Sequence, residues 1–359
     1  MSHTQKINII LVAGGRSAEH EVSVISAQNI AQALNKEKYN ISIVGIDKNG
    51  HFQKLSLPTL LESKVISTPT ENTSLSLIAK MNPLEEKMGG LETQKVVFPI
   101  LHGSYGEDGT IQGLFKIMDV PFVGAGVLGS AIGMDKDVMK RILRDANIPI
   151  ANFLTYRIYQ KNNIIFPDIV ATLGLPFFIK PANLGSSVGI SKVKNETEFK
   201  EAIETAFTYD DKIIIEEGIE GRELECAVLG NNFPQASVVG EIKPTHEFYS
   251  YEAKYLDPNG AALYIPANIP IETTRKIQAL AINTFKALEC EGMARVDFFL
   301  KTNGEILVNE INTIPGFTTI SMYPKLWAHS GLPYDQLLDQ LIDLAIEKYN
   351  QKKKLKNNL

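Results

Sequence analysis

The chain is poor in cysteine, in long apolar runs and in net positive charge, and each scarcity closes off a class of protein. Only Cys226 and Cys290 are present. Neither has a second cysteine at metal-ligand spacing, so both are expected in the core of a protein kept in a reducing compartment, the cytosol. The apolar run over residues 7–13 is too short for a membrane span and leads into GGRSAEHE, which lacks the features of a signal cleavage site. No membrane or export route is expected. The formal net charge of -5 leaves no global basic field for a nucleic-acid backbone. The basic tail QKKKLKNNL reads as a solvated, frayed end.

What is present describes an ordinary globular chain. With 359 residues it exceeds the size at which a single core keeps growing, so two or three domains are expected. A hydrophobic share of 44% is enough for a substantial core. The opening KINIILVAGGRSAEHEVSVISAQNIAQAL reads as a buried strand, a Gly-Gly turn and an amphipathic helix, and YNISIVGID and LETQKVVFPILHG hold further strands. Strands alternating with helices imply a parallel sheet that binds ligands at its strand C-termini. Residues 51–92 have weak periodicity and read as an insertion with little chemistry. From residue 175 the pattern changes: PFFIK and VGISKV flank PANLGSS, and KIIIEEGIEGRELECAVLG reads as a strand pair. The fold class is therefore α/β, becoming α+β in the middle. The end, LPYDQLLDQLIDLAIEKY, is an amphipathic helix.

Residues 295–316, RVDFFLKTNGEILVNEINTIPG, carry charges that folding alone would not choose. Asn303-Gly304 signals a two-residue type I′ hairpin. Counting outward, Phe299 is expected opposite Val308, Asp297 opposite Glu310 and Arg295 opposite Asn312, all on one face. Two carboxylates facing each other across antiparallel strands destabilise a sheet, so something must compensate. A hard cation such as Mg²⁺, sharing its shell with phosphate and water, suits Asp297, Glu310 and Asn312. The competing reading is a solvated, charged hairpin face.

Other stretches fit the same chemistry. Gly185, Ser186, Ser187 and Gly189 in PANLGSSVG offer backbone N–H groups to a phosphate, with Lys180 supplying charge. The GxxxxGK[ST] order of a P-loop is missing. Glu216 and Glu223 stand at strand ends, either to accept from an adenine amino group and ribose hydroxyls or as solvated ends. Lys136 at a helix start opposes the helix dipole until a phosphate joins it. GGRSAEHEVS leads a strand into a helix whose N-terminus faces a small anion or carboxylate. It lacks GxGxxG, and Glu19 suits an ammonium group or a helix cap. His102 in LHGSYGEDGT is either a satisfied structural histidine or a group behind the site.

Taken in order, GGRSAEHEVS, LHGSYGEDGTIQG, IKPANLGSSVGISKV, YEAKY and RVDFFL with VNEINTIPGFT closely resemble the D-alanine–D-alanine ligase family of the ATP-grasp superfamily. The resemblance runs over residues 14–318 and covers nearly the whole chain, the insertion and the basic tail excepted. It implies an ATP-grasp architecture: an N-terminal Rossmann-like parallel-sheet domain over residues 1–132, a small central α+β domain over 133–220 and a C-terminal α+β domain over 221–359. It also implies that ATP phosphorylates the carboxylate of one D-alanine, whose acyl phosphate is attacked by the amine of a second, for peptidoglycan synthesis.

Residue by residue, the resemblance assigns Asp297, Glu310 and Asn312 to two Mg²⁺ ions, with Mn²⁺ able to substitute. Lys136, Lys180 and Ser187 face ATP phosphates and Lys254 the transferring one. Glu216, Glu217, Ile219 and Glu223 meet adenine and ribose, with Phe299 against the adenine. Glu217 stands where some relatives carry lysine, which leaves backbone atoms for the adenine contact. Glu19 holds the first substrate's ammonium, linked through Ser186 to Tyr255, and His102 supports that subsite. Arg295 and the Gly316 N–H stabilise the tetrahedral oxyanion, and Ser321 grips the second carboxylate. The loop with Tyr249, Lys254 and Tyr255 closes over the site. A cytosolic homodimer is the expected assembly. The rival readings are a D-alanine–D-lactate or D-alanine–D-serine ligase, which Tyr255 disfavours, and a nucleotide-binding regulator without turnover, which should have lost Arg295, Lys254 or a metal acid.

Overall fold

The computed structural model describes residues 6–69, 94–244 and 261–355. Three sheets organise them. The first is built on β1 (Ile7–Gly14), whose last six residues are all buried, as a central parallel strand requires. Helix α1 (His20–Ala33) follows, then β2 (Tyr39–Ile46), β3 (Phe52–Leu55), α2 (Leu57–Glu62) and β4 (Lys95–Ile100). The strand order is β3-β2-β1-β4, with β1 parallel to β2 and β4. The presumed insertion is thus part of the sheet at its start: β3 is an antiparallel edge strand on β2. Ser56 then caps α2 by accepting from the Thr59 N–H. Residues 70–92 lie outside the described residues.

Helices α3 (Thr110–Ile117), α4 (Val127–Met134) and α5 (Lys136–Asp145) lead to the second sheet. It contains β5 (Phe153–Arg157), then α6 (Phe166–Leu173), β6 (Phe177–Pro181), β7 (Ser191–Val193), α7 (Glu196–Tyr209) and β8 (Lys212–Glu217), in the antiparallel order β5-β8-β6-β7. Phe177, Ile179, Phe199, Ile203 and Ile215 form a core of its own.

The third sheet runs β11-β10-β9-β12-β13, antiparallel throughout. Its elements are β9 (Gly221–Gly230), β10 (Gln235–Pro244), β11 (Ala261–Tyr264), α8 (Ile271–Ala287), β12 (Gly292–Lys301) and β13 (Ile306–Asn312). The stretch read as a strand pair, β8 and β9, is divided between two sheets: β8 pairs with β5 and β6, β9 with β10 and β12. Helices α9 (Met322–His329) and α10 (Tyr334–Lys353) close the chain. Leu337, Leu338 and Leu341 of α10 share one core with Ile9 and Val96 of the first sheet and Leu229 of the third. The last helix therefore ties the end of the chain back to its beginning.

The β12–β13 hairpin departs from the expected two-residue turn. Gly304 N–H donates to Lys301 O and Lys301 N–H to Glu305 O, both at 2.9 Å, which closes a three-residue loop over residues 302–304. Gly304 alone takes positive φ, 85°, the geometry of a type I turn with a following glycine bulge. Near the turn Phe299 consequently faces Leu307, not Val308, and Val308 joins the core opposite Phe298. A second one-residue irregularity, with Asn309 as the extra residue, cancels the first. Asp297 faces Glu310 and Arg295 faces Asn312 after all.

Candidate active site

A cleft of about 440 Å³ opens between the three sheets. On the third sheet, register puts three acids in one row: Glu225 of β9, Asp297 of β12 and Glu310 of β13. The Arg295 guanidinium forks onto Asp297, with Nε at 2.7 Å from Oδ1 and Nη2 at 2.8 Å from Oδ2. Its Nε is also 3.0 Å from Glu225 Oε2. The Asn312 side-chain oxygen is buried, and among the described residues nothing donates a hydrogen bond to it. Such an orphaned acceptor costs about 1–3 kcal/mol. Two carboxylates and an amide oxygen on adjacent strands, one of them orphaned, are a donor set that fits a hard divalent cation.

Cationic groups approach from the α5 side. Lys136 donates to Leu184 O at 2.6 Å and stands 3.7 Å from Glu310 Oε2. Its position at a helix start is thus supported by an acid even without phosphate, and Asp135 caps the helix by accepting from Val138 N–H. One turn on, Lys140 is fully buried and ion-paired with Glu216, which also pairs with Lys180. Burial pushes the Glu216 carboxyl up, but the two ammonium groups outweigh it and hold it below its ordinary value. Burial keeps Lys140 low, while Glu216 raises Lys180 against the same penalty. The loop between β6 and β7 then carries Ser186 and Ser187 at φ 53° and 61°, two consecutive left-handed residues.

Glu19 sits at the N-cap of α1, yet its side chain makes no cap hydrogen bond. Instead it accepts from the Ser186 hydroxyl, joining the first sheet to the loop of the second. His102 is buried, with Nδ1 donating to Ile314 O at 2.9 Å and Nε2 3.4 Å from Ser26 Oγ. Burial holds it below the usual imidazole range, so it is neutral. Glu107 completes the grip on Ile314: its Oε1 accepts the Ile314 N–H at 3.0 Å and its Oε2 the Gly103 N–H at 2.7 Å. Burial pushes the Glu107 carboxyl up to about 8, with nearby Glu19 adding to the rise and the backbone donors opposing it. This double grip sets the backbone leading to Gly316. There a Cβ would come within 2.7 Å of Ser321 Oγ, itself bonded to the Thr318 N–H at 3.0 Å.

The cleft brings Glu19, His102, Lys136 and Ser186 together with Glu223, Arg295, Asp297 and Phe299. Glu310, Asn312, Gly316 and Ser321 also line it. Lys180, Ser187, Glu216, Glu217 and Ile219 are not among its lining residues. Lys180 and Glu216 are joined in their ion pair. Glu217 is held by the Asn152 N–H at 2.8 Å and Nδ2 at 3.1 Å, and Ile219 is half-buried in the linker between β8 and β9. Phe299 faces Glu223 across strands. Tyr249, Lys254 and Tyr255 lie outside the described residues. Sequence reasoning missed Glu107, Lys140 and Glu225. Glu225 was accessible to it, two residues after Glu223 and so on the same strand face, and Lys140 lies one helical turn after Lys136.

The sequence matches the family described as D-ala D-ala ligase N-terminus over residues 8–125 and D-ala D-ala ligase C-terminus over residues 142–343. The chain belongs to the D-alanine–D-alanine ligase family. A D-alanine–D-alanine ligase of Oceanobacillus iheyensis is 50% identical over 361 residues, 98% of this chain and 99% of the relative. Among solved structures, the D-alanine–D-alanine ligase from Coxiella burnetii superposes with a TM-score of 0.82 at 39% identity, covering 98% of this chain and 97% of that one. The VanG D-Ala:D-Ser ligase from Enterococcus faecalis reaches 0.81 at 36% identity, covering 95% and 100%. The fold is the ATP-grasp architecture of these ligases. The N-terminal ligase match carries Glu19, His102 and Glu107, and the C-terminal match the whole acidic row. Lys136 and Lys140 fall between the two.

Proposed function

We infer that this protein joins two D-alanine molecules into D-alanyl-D-alanine with conversion of ATP to ADP and phosphate, supplying peptidoglycan precursors. The observation that carries the reading is the contact between Glu19 and Ser186. It sets a carboxylate suited to an amino acid's ammonium against a loop suited to phosphate, in the cleft that also holds Asp297, Glu310 and Asn312.

In this reading Glu19 fixes the ammonium of the first D-alanine, with Ser186 orienting the carboxylate and neutral His102 supporting the subsite. Lys136, Lys180 and the backbone around Ser187 neutralise phosphate oxygens during transfer to the substrate carboxylate, a reaction that depends mainly on position and charge. Asp297, Glu310 and Asn312 would hold two Mg²⁺ ions, or Mn²⁺ in their place, which would supply screening of phosphate charge. Phe299 and Glu223 bound the nucleotide's base and ribose, with Glu216, Glu217 and Ile219 along the same strand end and linker. The second D-alanine attacks the acyl phosphate through its amine. Arg295 and the Gly316 N–H then stabilise the oxyanion, and Ser321 holds the acceptor carboxylate. Lys254 serves the transferring phosphate and Tyr255 the link to Ser186 in this reading.

We place the divisions between the three units near residues 132 and 220; the second sheet has a core of its own, whereas Met139 and Leu143 of α5 pack in the core of the third. The protein acts in the cytoplasm, which two buried, unpaired cysteines favour. Among the described residues no helix is long and apolar enough to cross a membrane. A homodimer through the N-terminal region belongs to the same reading, and mass in solution tests it.

The deciding experiment incubates the protein with ATP, Mg²⁺ and D-alanine, with D-lactate and D-serine in parallel, while products and phosphate are resolved. D-Ala-D-Ala formed in step with phosphate is expected. A mixed product in the majority would move the function to a depsipeptide or D-serine ligase. ATP binding without any product would make the protein a regulator.

A further inference from the structure

Arg295 and Asp297 are committed to each other by a two-pronged contact that occupies both carboxylate oxygens. Such forked pairs are among the strongest polar contacts in proteins. Yet the metal reading, on which this inference rests, asks Asp297 to turn at least one oxygen to a divalent cation. Releasing a guanidinium that is only 18% exposed is costly unless another acid receives it.

That acid is in place. Glu225 is the register partner of Asp297 on β9, on the side of β12 away from Glu310 and Asn312. Its side chain is 7% exposed, and its Oε2 lies 3.0 Å from the same Arg295 Nε that reaches Asp297. Arg295's own partner on β9 is Ala227, a side chain too small to separate the guanidinium from Glu225. The guanidinium therefore lies between two carboxylates, Asp297 and, one strand further from Glu310 and Asn312, Glu225.

We propose that Glu225 is a positioning residue that holds Arg295 when Asp297 takes up the metal, so that cation binding and the placing of the oxyanion donor are coupled through one arginine. Loss of Glu225 leaves Asp297 as the arginine's main acid, and the cation must then compete with a buried guanidinium. The benefit of Glu225 to the metal exists only while Arg295 is present. A carboxylate acting as a direct ligand, or as simple negative charge, would attract the cation equally or more strongly once the arginine is gone.

The test measures Mn²⁺ affinity by electron paramagnetic resonance in the presence of ADP, so that no turnover is needed. It compares the unsubstituted chain, Glu225→Gln, Arg295→Met and the double variant. Glu225→Gln is expected to weaken Mn²⁺ about tenfold, a usual coupling between contacting groups, and the same change in the Arg295→Met background to weaken it by less than about twofold. Glu225→Asp, which keeps a carboxylate, should recover part of the affinity, and thermal melting checks that each variant is folded. No effect of Glu225→Gln, or an equal or larger effect without Arg295, overturns the proposal. Failure of the unsubstituted chain to bind Mn²⁺ overturns the metal assignment and this inference with it.

Discussion

The carboxylate of Glu19 and the hydroxyl of Ser186, 167 residues apart in sequence, meet in a hydrogen bond across the cleft. The bond joins the N-terminus of α1, just after the first parallel strand, to a glycine- and serine-rich loop of a different sheet. A substrate held by Glu19 is therefore held beside the loop suited to phosphate.

Ser186→Ala removes the donor and leaves the Glu19 carboxylate less well oriented. A hydrogen bond to a charged group contributes about 1.5–3 kcal/mol. The expected result is a fall of roughly ten- to a hundredfold in kcat/KM for D-alanine, with ATP affinity little changed. Steady-state kinetics with each substrate varied separately checks this, and an equal loss on both would point to collapse of the loop.

Asp297→Asn keeps the shape of the row but removes one of the two metal-side charges. Phosphoryl transfer, followed as ADP formation, is expected to fall by about two to three orders of magnitude, as when a single charge-stabilising group is removed. Circular dichroism should be unchanged. Full activity with normal Mg²⁺ dependence in this variant would remove Asp297 from the metal site.

Glu216→Gln leaves Lys140 and Lys180 buried without their common acid. Breaking a buried ion pair from one side costs about 3–5 kcal/mol. The expected outcome is a lowered midpoint in denaturant unfolding, larger than for Lys140→Met, which leaves Lys180 to pair with Glu216. Unchanged stability in Glu216→Gln would show that the three charges are solvated, not locked.

Lys348 offers a test by pH. Its ammonium is buried, donates to Gly124 O at 2.7 Å and lies 4.5 Å from the Phe122 ring centre. Burial lowers its pKa to about 8, with Glu291 only partly opposing. An unfolded lysine keeps its proton to near 10.5. Between those values the unfolded chain binds more protons, so this group's contribution to stability rises with pH. It is complete above about 10.5 and is lost as pH falls through about 8. Relative to Lys348→Met, the unsubstituted chain should gain up to about 3 kcal/mol over that window, read from denaturant midpoints at each pH. A pH-independent difference would show that Lys348 is not desolvated.

The hairpin shows how local reading can reach the right residues by a wrong route. Asn303-Gly304 predicted a two-residue turn, and the observed loop has three residues with only Gly304 left-handed. The resulting one-residue slip was undone by Asn309, a bulge with no sequence signature of its own. Asp297 and Glu310 are paired as expected, whereas Phe299 and Val308 are not. The strand pair assumed for β8 and β9 failed for a related reason: neighbours in sequence do not choose their sheet by local pattern.

By itself the sequence determined what short-range physics controls: the buried runs of β1 and β4, the amphipathic helices at either end, and the alternation that aims Arg295, Asp297, Glu310 and Asn312 to one side. Side-chain period and turn chemistry act over a few residues, so they are legible without a fold. Only the tertiary structure decided that Glu216 would lie between Lys140 and Lys180, that His102 and Glu107 would grip both sides of the Ile314 peptide, and that Glu225 would share Arg295 with Asp297. These contacts join distant segments, and each exists because burial removes the water that would otherwise have satisfied the same charges separately.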